Sequence, residues 1–259
     1  MNIDFFNNEM KYNGYSLFPG YLEEEFLTRL RLDLEAWLVF SKELREKNGL
    51  ADSMSGVAHN IVGKDDAMAE YLRLLPLHEY LKKYFGGPYI LNSFSGLKYI
   101  RSEIGQYEHA QNFHRDVRVY SRDVNLMINI IVMLDDFTVE NGATRLLPGS
   151  HVVEEKPSEE YLNAKSIQIT GKAGTIVAFD SNIWHSASKN LNGESRRALT
   201  LNYTKPFLKQ QIEFTKLVNR EFSENPEVLD VIGFRARTPQ NHSDWYQKGD
   251  KRFYHSDQR

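Results

Sequence analysis

The stretch after Pro88 constrains the fold most, because it divides into short segments rich in Ile, Val, Tyr, Phe and Thr. Turn residues separate the segments, among them Asn141-Gly142, Pro148-Gly149, Gly171 to Gly174 and Asn192-Gly193. Many short strands without long helices between them predict a sandwich or a barrel and argue against a βαβ fold. The predicted strands are Tyr89–Phe94, Leu97–Ile104, Val117–Tyr120, Leu126–Leu134, Thr144–Leu147, Ser166–Ile169, Thr175–Phe179 and Ala198–Tyr203.

Helical periodicity dominates the first third of the chain. Tyr21–Lys47 carries apolar side chains at helical spacing, and Asn48-Gly49 is a good stop signal. Asp65–Phe85 is a second predicted helical stretch, which we expect Pro76 to kink or to split in two. Phe207–Phe222 is predicted to be helical again.

No internal repeat and no Gly/Ser/Pro linker divides the sequence, so we predict one domain over residues 1–259. Its helical support spans about 1–88, its β core about 89–207, and a C-terminal helix and tail about 208–259. The tail carries aromatic residues that either close over the site or pack against the N-terminal helices. They are Trp245, Tyr246, Phe253 and Tyr254.

The chain contains no cysteine, so any metal must be bound by nitrogen and oxygen. A net charge of −3 gives no basic footprint for nucleic acid. Met1–Met10 lacks the basic start and apolar stretch of a signal peptide, and the longest apolar run, Leu126–Leu134, is too short to span a bilayer. We therefore expect a cytoplasmic protein with neither a nucleic-acid nor a membrane partner; its oligomeric state stays open.

Two histidines and one aspartate are the predicted metal ligands. His114 and Asp116 are two residues apart at the start of a predicted strand, so both project to one face while Arg115 points away. His185 follows another apolar strand. Two imidazoles and one carboxylate on a β scaffold are the parts of a facial triad, which binds Fe(II) and leaves positions open for cosubstrate and dioxygen.

An arginine pair opens the strand that follows His185. Arg196 and Arg197 precede Ala198–Tyr203, and a guanidinium fork matches the two oxygens of a carboxylate. Strand alternation turns the two side chains to opposite faces. One of the two arginines therefore suits a clamp for a dicarboxylate.

The stretch from Leu97 to Phe207 resembles the phytanoyl-CoA dioxygenase family. The matching segments are Asn112-Phe113-His114-Arg115-Asp116, Asn141-Gly142-Ala143-Thr144-Arg145, Leu147-Pro148-Gly149-Ser150-His151, Gly174-Thr175-Ile176-Val177-Ala178-Phe179-Asp180, Trp184-His185 and Arg196-Arg197-Ala198-Leu199. They occur in the order of that family and at about its spacing.

The resemblance implies a mainly β fold, a double-stranded β-helix (jelly roll) with supporting N-terminal and C-terminal helices. His114, Asp116 and His185 match the iron ligands of the family, and Arg196 matches the arginine that binds the distal carboxylate of 2-oxoglutarate. The resemblance thus favours Arg196 as the clamp, with Arg197 as the alternative if a bulge shifts the register. The sequence departs from the family at Ala187, where members often carry a hydroxyl group. The aspartate is intact, which favours hydroxylation over halogenation.

The implied cofactors are Fe(II) and 2-oxoglutarate. The implied reaction is a dioxygenase reaction that hydroxylates an unactivated C–H bond of a small metabolite, with release of succinate and carbon dioxide. The expected partners are therefore a small-molecule substrate and dioxygen.

Basic side chains near the predicted ligands bear on the substrate. Arg118 shares a strand face with His114 and Asp116 if the strand continues, and an inward cation would suit an anionic substrate. Lys98 and Arg101, on the preceding predicted strand, are further candidates, although their opposite parity keeps both from facing inward. The alternative is that these cations are solvated or pair with nearby acids.

Two other functions compete with the oxygenase. A cupin-like metalloenzyme that does not use 2-oxoglutarate usually shows a His-x-His pair, whereas this chain has His114-x-Asp116, and Arg196 would then lack a purpose. A non-catalytic jelly-roll binding module is the other alternative, and loss of a ligand would support it. All three ligands are present.

Overall fold

The computed structural model describes residues 1–50, 56–99, 112–121 and 124–247, which contain nine strands and seven α-helices. The strands are β1 (Tyr15–Phe18), β2 (Val57–Ala58), β3 (Ile90–Tyr99), β4 (Met127–Met133), β5 (Arg145–Leu146), β6 (Ile167–Gln168), β7 (Ile176–Asp180), β8 (His185–Ser186) and β9 (Arg196–Thr204). The α-helices are α1 (Ile3–Tyr12), α2 (Glu24–Lys47), α3 (Ala67–Arg73), α4 (His78–Phe85), α5 (Glu159–Lys165), α6 (Pro226–Ile232) and α7 (His242–Trp245).

The strands form two antiparallel sheets. The major sheet has the order β1-β7-β4-β9-β3-β2, and the minor sheet has the order β6-β5-β8. An apolar cluster that includes Phe137, Leu146, Val177 and Phe179 joins the two sheets. The predicted fold class is confirmed: the core is a jelly roll of antiparallel sheets with flanking helices, and over the described ranges the sheets do not close into a barrel.

Both faces of the major sheet are covered, but by different partners. Along β4, Ile128, Ile130 and Val132 belong to the apolar cluster that the helices cover. Asn129 and Ile131 alternate with them and face the minor sheet across a cavity. This alternation explains why the strands are apolar on one face yet carry polar residues on the other, although both faces are shielded from bulk water.

Helix α2 supplies much of the outer layer. Its buried residues are Phe26, Leu27, Leu30, Leu34 and Trp37. The predicted helix Tyr21–Lys47 is confirmed in position, starting three residues later than expected. The second helical stretch is split around Pro76 as expected, with α3 ending before it and α4 beginning after it. The Asp66 carboxylate caps α3 by accepting hydrogen bonds from two of its backbone amides.

The two strands predicted as Tyr89–Phe94 and Leu97–Ile104 are wrong as separate elements. One strand, β3, runs through Ser95-Gly96, with a bulge between Leu91 and Ser93; the part beyond Tyr99 lies outside the described residues. Gly96 lies within the strand and faces α2 closely. A Cβ at this position would overlap the Leu34 side chain, which explains why the residue is a glycine. The glycine serves helix packing and does not mark a turn.

The predicted strand Val117–Tyr120 is also wrong. The segment makes bends, and only His114 of this region forms a bridge, with His185. The Arg115 guanidinium fixes the segment by donating to backbone carbonyls, at 2.6 Å to Asn182 and 2.9 Å to Glu154. These side-chain anchors replace the ladder that a strand would need.

The predicted helix Phe207–Phe222 is wrong as well. The structure has two 3-10 turns there, Phe214–Lys216 and Arg220–Phe222. The start of the segment is tied to β3 instead, because the Gln211 amide donates to the Asn92 carbonyl at 2.9 Å and the Gln210 side chain donates to the Leu91 carbonyl at 2.7 Å. Tertiary hydrogen bonds thus override helical propensity.

Several short elements were not anticipated, among them α1, β1, β2, β8 and α6. The aromatics of the tail that the structure describes, Trp245 and Tyr246, are 45% and 78% exposed, while Phe253 and Tyr254 lie outside the described residues. Among the helices in the described part of the chain, none has the length and apolar character to cross a bilayer.

Gly174 offers a test of the packing between the N-terminal segment and β7. Its φ is +83°, and a Cβ would overlap the Leu22 carbonyl oxygen; Gly20 has a φ of +60° with nothing within 4 Å. We expect Gly20→Ala to cost about 1–2 kcal/mol from the left-handed backbone alone. Gly174→Ala adds an overlap of about 1–3 kcal/mol. Urea unfolding of both variants measures the difference, and equal losses would contradict the packing argument.

Candidate metal centre

Three side chains from two distant parts of the sequence meet at one end of the space between the sheets. His114, Asp116 and His185 each offer a ligand atom, and these atoms lie within 4.8 Å of one another. The Asp116 Oδ1 atom is 3.5 Å from His114 Nε2 and 3.7 Å from His185 Nε2. The structure therefore brings together the three residues that the sequence predicted as a triad.

A reciprocal backbone bridge joins the two histidines. The His114 amide donates to the His185 carbonyl at 2.9 Å, and the His185 amide donates to the His114 carbonyl at 3.1 Å. The ring centroids are 4.3 Å apart as a result. Directly opposed residues in an antiparallel pair place their side chains on the same face, so this bridge sets the spacing of the two imidazoles.

Backbone carbonyls also orient each ring. His114 Nδ1 lies 2.9 Å from the Asn112 carbonyl, and His185 Nδ1 lies 3.1 Å from the Ile183 carbonyl. A carbonyl accepts, so in each ring Nδ1 carries the proton and Nε2 keeps its lone pair. Both Nε2 atoms face Asp116, which is the arrangement of metal-binding histidines.

Asn129 fixes the aspartate. Its side-chain amide donates to Asp116 Oδ2 at 2.6 Å, and the Ser181 hydroxyl donates to Asn129 Oδ1 at 2.9 Å. Oδ2 is thereby occupied, and Oδ1 is left to face the imidazoles. Sequence reasoning missed this role; an amide in the middle of the apolar run Leu126–Leu134 was the available signal.

The pKa values of the three groups differ in direction. Burial raises the pKa of Asp116, but the interactions with the two neighbouring imidazoles outweigh it and leave that pKa lowered. The hydrogen bond to Asp116 raises the pKa of His114. Burial lowers the pKa of His185 and favours its neutral form. A carboxylate beside a neutral imidazole is a donor set that suits a divalent cation.

A cavity of about 340 Å³ extends from this centre to Arg196. The Arg196 side chain is 5% exposed, and its guanidinium lies over the Phe137 ring at 4.2 Å. Within the described ranges it has no carboxylate partner, and its buried Nε atom has no hydrogen-bond acceptor. Burial lowers the pKa of Arg196 to about 10. An unpaired buried guanidinium is costly, so this end of the cavity suits a ligand anion.

The other predicted basic residues have different surroundings. Arg197 donates to Asp135 through Nε and Nη2, both at 2.9 Å, on the opposite face of β9. The Lys98 Nζ atom pairs with Glu35 at 2.8 Å on the helix side. Neither side chain reaches the cavity, so the prediction that Lys98 contacts substrate is not supported, and Arg196 is the arginine directed inward.

Arg118 lies at the rim. It is exposed and borders an open basin of about 1070 Å³ that also contacts His114 and Asp116. Its position does not follow from strand parity, because the segment is not a strand. Arg101 lies outside the described residues.

Two smaller expectations concern residues beside the triad. We expected His151 to hydrogen-bond a loop and not to bind iron; its Nε2 lies 3.3 Å from the carbonyl of Lys11, which belongs to the last turn of α1. Ala187 lines the cavity, as does its neighbour Ser186, whose buried hydroxyl has no partner within the described ranges. Ser186 thus supplies a hydroxyl near the position where the sequence lacks one.

Comparison with known proteins gives several relatives. An uncharacterised protein of Mycobacterium tuberculosis is 34% identical over 172 residues, which cover 66% of this chain and 61% of that protein. A dioxygenase of Emericella variicolor is 31% identical over 186 residues, covering 67% and 63% respectively. The L-proline trans-4-hydroxylase of Streptomyces griseoviridis is 26% identical over 229 residues, covering 74% and 83%. The chain thus spans 61% of the length of the mycobacterial relative.

Solved structures share the fold. AviO1 from Streptomyces viridochromogenes superposes with a TM-score of 0.61 at 20% identity, covering 79% of this chain and 96% of that one. SnoN, a non-haem α-ketoglutarate-dependent epimerase from nogalamycin biosynthesis, gives 0.62 at 17% identity, covering 86% and 90%. A family model described as phytanoyl-CoA dioxygenase matches residues 11–198. Since that match spans well over half of the sequence, the chain belongs to the phytanoyl-CoA dioxygenase family.

Proposed function

We propose that this protein is a non-haem Fe(II)- and 2-oxoglutarate-dependent dioxygenase. His114, Asp116 and His185 would hold the iron, with Asp116 bound through Oδ1. The donor set supports iron, because two nitrogens and one oxygen would bind one face of the ion. The cavity lies on the opposite side, where further ligands can bind. Family membership and the relatives that carry the names dioxygenase and hydroxylase support the same reaction class.

Arg196 is the observation that carries the cosubstrate assignment. It is the buried cation at the far end of the cavity that begins at the triad, and within the described part of the chain no acid neutralises it. 2-Oxoglutarate has a keto acid at one end, which chelates a metal, and a carboxylate at the other. A molecule with these two ends fits the two ends of this cavity, since the guanidinium fork accepts a carboxylate.

The chain itself binds, orients and excludes water. Ile131, Phe137 and Phe179 form apolar walls between the triad and Arg196, so a bound cosubstrate would be shielded from solvent. Iron and 2-oxoglutarate supply the oxidant when bound, and the proposed outcome is hydroxylation of an unactivated C–H bond of a small molecule by dioxygen, with release of succinate and carbon dioxide. Arg118 at the rim remains the residue predicted to attract an anionic group of the substrate.

Iron and 2-oxoglutarate binding are measured together by anaerobic titration of the apoprotein. We expect the visible charge-transfer band of the Fe(II) chelate in the wild-type protein and its loss in His114→Ala. His151→Ala is the matched control and should keep the band, because that ring contacts a carbonyl of α1 and is not part of the triad. Iron that binds without a band would contradict the 2-oxoglutarate assignment and favour a cupin-like metalloenzyme.

Variants of the two neighbouring arginines distinguish a specific carboxylate clamp from a general effect of positive charge. Arg196→Ala should weaken 2-oxoglutarate binding by about 30-fold or more, because one partner of a buried charge pair is worth roughly 2–5 kcal/mol. Arg197→Ala removes an equal charge and loses the Asp135 pair, yet should change the dissociation constant less than about threefold. The band titration gives both constants. Similar losses in the two variants would refute a specific clamp at Arg196.

Asn129 is a positioning residue for the metal, and its effect should appear in metal affinity. Asn129→Ala leaves Asp116 Oδ2 without its donor, and we expect Fe(II) binding to weaken by about 10–100-fold. Ser181→Ala should have a smaller effect in the same direction, since it acts through Asn129. Competition with a chelator measures both, and unchanged affinity in Asn129→Ala would show that Asp116 needs no support.

A further inference from the structure

The inner face of the major sheet carries a row of uncharged polar side chains beside the metal centre. Strand register places Ser93 opposite Asn202, and Asn202 opposite Asn129. Directly opposed residues have Cβ atoms roughly 4.5–5.5 Å apart, so Asn202 is the immediate neighbour of the amide that holds Asp116. The next row along the sheet pairs Ser95 with Thr200.

These side chains line the cavity but lack hydrogen-bond partners. Within the described ranges, the side chains of Ser93, Thr200, Asn202 and Gln211 make no hydrogen bond, although all four border the cavity. Ser93 is only 6% exposed, Thr200 and Asn202 are half-buried, and Gln211 is exposed at the margin of the cavity. Ser95 differs, because its hydroxyl lies 3.3 Å from His59 Nδ1. Polar groups in a confined site are normally satisfied, so donors and acceptors from outside the chain are expected here.

Apart from the proposed metal ligand Asp116, no charged side chain lies at this end of the cavity among its described lining residues. Among its described lining residues, Arg196 is the one lysine or arginine, and it lies at the opposite end. Burial and the nearby Arg45 charge lower the pKa of His59, which keeps that ring neutral. An anionic group would lose its hydration here without gaining a counter-ion from a protein side chain.

An apolar group would fit no better. Displacing water from Ser93 and Asn202 without replacing the hydrogen bonds leaves polar groups unsatisfied, whereas a hydroxyl, amide or carbonyl restores them. A site built to form hydrogen bonds therefore rejects an analogue that lacks the matching group.

We propose that Ser93, Thr200, Asn202 and Gln211 form a substrate subsite, the polar row, for an uncharged hydrogen-bonding group such as an amide or a hydroxyl. The inference rests on the proposed function, because it takes the Arg196 end to be filled by 2-oxoglutarate. The cavity of about 340 Å³ is shared by both molecules, so the part of the substrate that enters is small. The remainder extends into the open basin, where Arg118 lies.

The test uses probes that differ in charge but hardly in shape. Isobutyramide and isobutyrate are offered to the full chain loaded with Zn(II), a diamagnetic ion that accepts the same ligands, in the presence of saturating 2-oxoglutarate. Saturation-transfer NMR detects binding of each probe. We expect a signal from isobutyramide at least fivefold stronger than that from isobutyrate.

Variants locate the binding. Ser93→Ala and Asn202→Leu should each reduce the isobutyramide signal at least threefold, while Arg118→Gln, which removes the rim cation, should leave it unchanged. Ser93→Ala changes one atom, so the test survives if Asn202→Leu fails to fold. A stronger isobutyrate signal that depends on Arg118 would overturn the proposal, as would an isobutyramide signal that is absent or insensitive to both polar-row variants.

The same spectra separate the two hypotheses. Signals from 2-oxoglutarate, present in wild type and lost in Arg196→Ala, report the cosubstrate independently of the probes. If 2-oxoglutarate does not bind, the proposed function fails and the polar-row assignment falls with it. If 2-oxoglutarate binds but isobutyramide fails the tests above, only the substrate class is overturned.

Discussion

Everything at the site depends on the apolar layer between the helices and the outer face of the major sheet. Leu30 and Leu34 of α2 are fully buried there, as are Ile128, Leu199 and Leu201 of the sheet. Each such side chain contributes about 1.5–3 kcal/mol when it is removed from water. Because the outer face provides this stability, the inner face of the same strands is free to carry polar and charged groups that burial would otherwise disfavour.

Strand alternation places adjacent charged residues on opposite faces of the major sheet, where they have different roles. Arg196 and Arg197 are adjacent, yet one guanidinium lies in the cavity and the other forms a double hydrogen bond with Asp135 on the helix side. Their pKa values move in opposite directions: burial lowers that of Arg196, and the Asp135 hydrogen bond raises that of Arg197. Arg197 thus forms a structural ion pair on one face of the strand. Arg196, on the other face, has no carboxylate partner within the described ranges.

The candidate metal centre lies where a sheet meets a segment without regular structure. His185 belongs to β8, whereas His114 and Asp116 lie on a segment held by the Arg115 guanidinium and by the bridge to His185. The Arg115 side chain is 9% exposed and lies over the Trp184 ring at 4.6 Å. A ligand segment fixed by side-chain hydrogen bonds can follow the geometry of an ion, because it does not have to satisfy a strand ladder.

The sequence by itself determined the elements with strong local patterns and the residues with distinctive chemistry. The periodicity of α2, the split at Pro76, most of the strands and the His-x-Asp motif all follow from neighbours within a few residues. Parity also placed Arg196 and Arg197 on opposite faces of one strand, and the family resemblance favoured Arg196. Only the tertiary structure decided the continuity of β3 through Gly96, the bends after Asp116, the Lys98–Glu35 pair and the hydrogen bond from Asn129 to Asp116. Those features depend on contacts between residues far apart in the chain, and local periodicity carries no information about such partners.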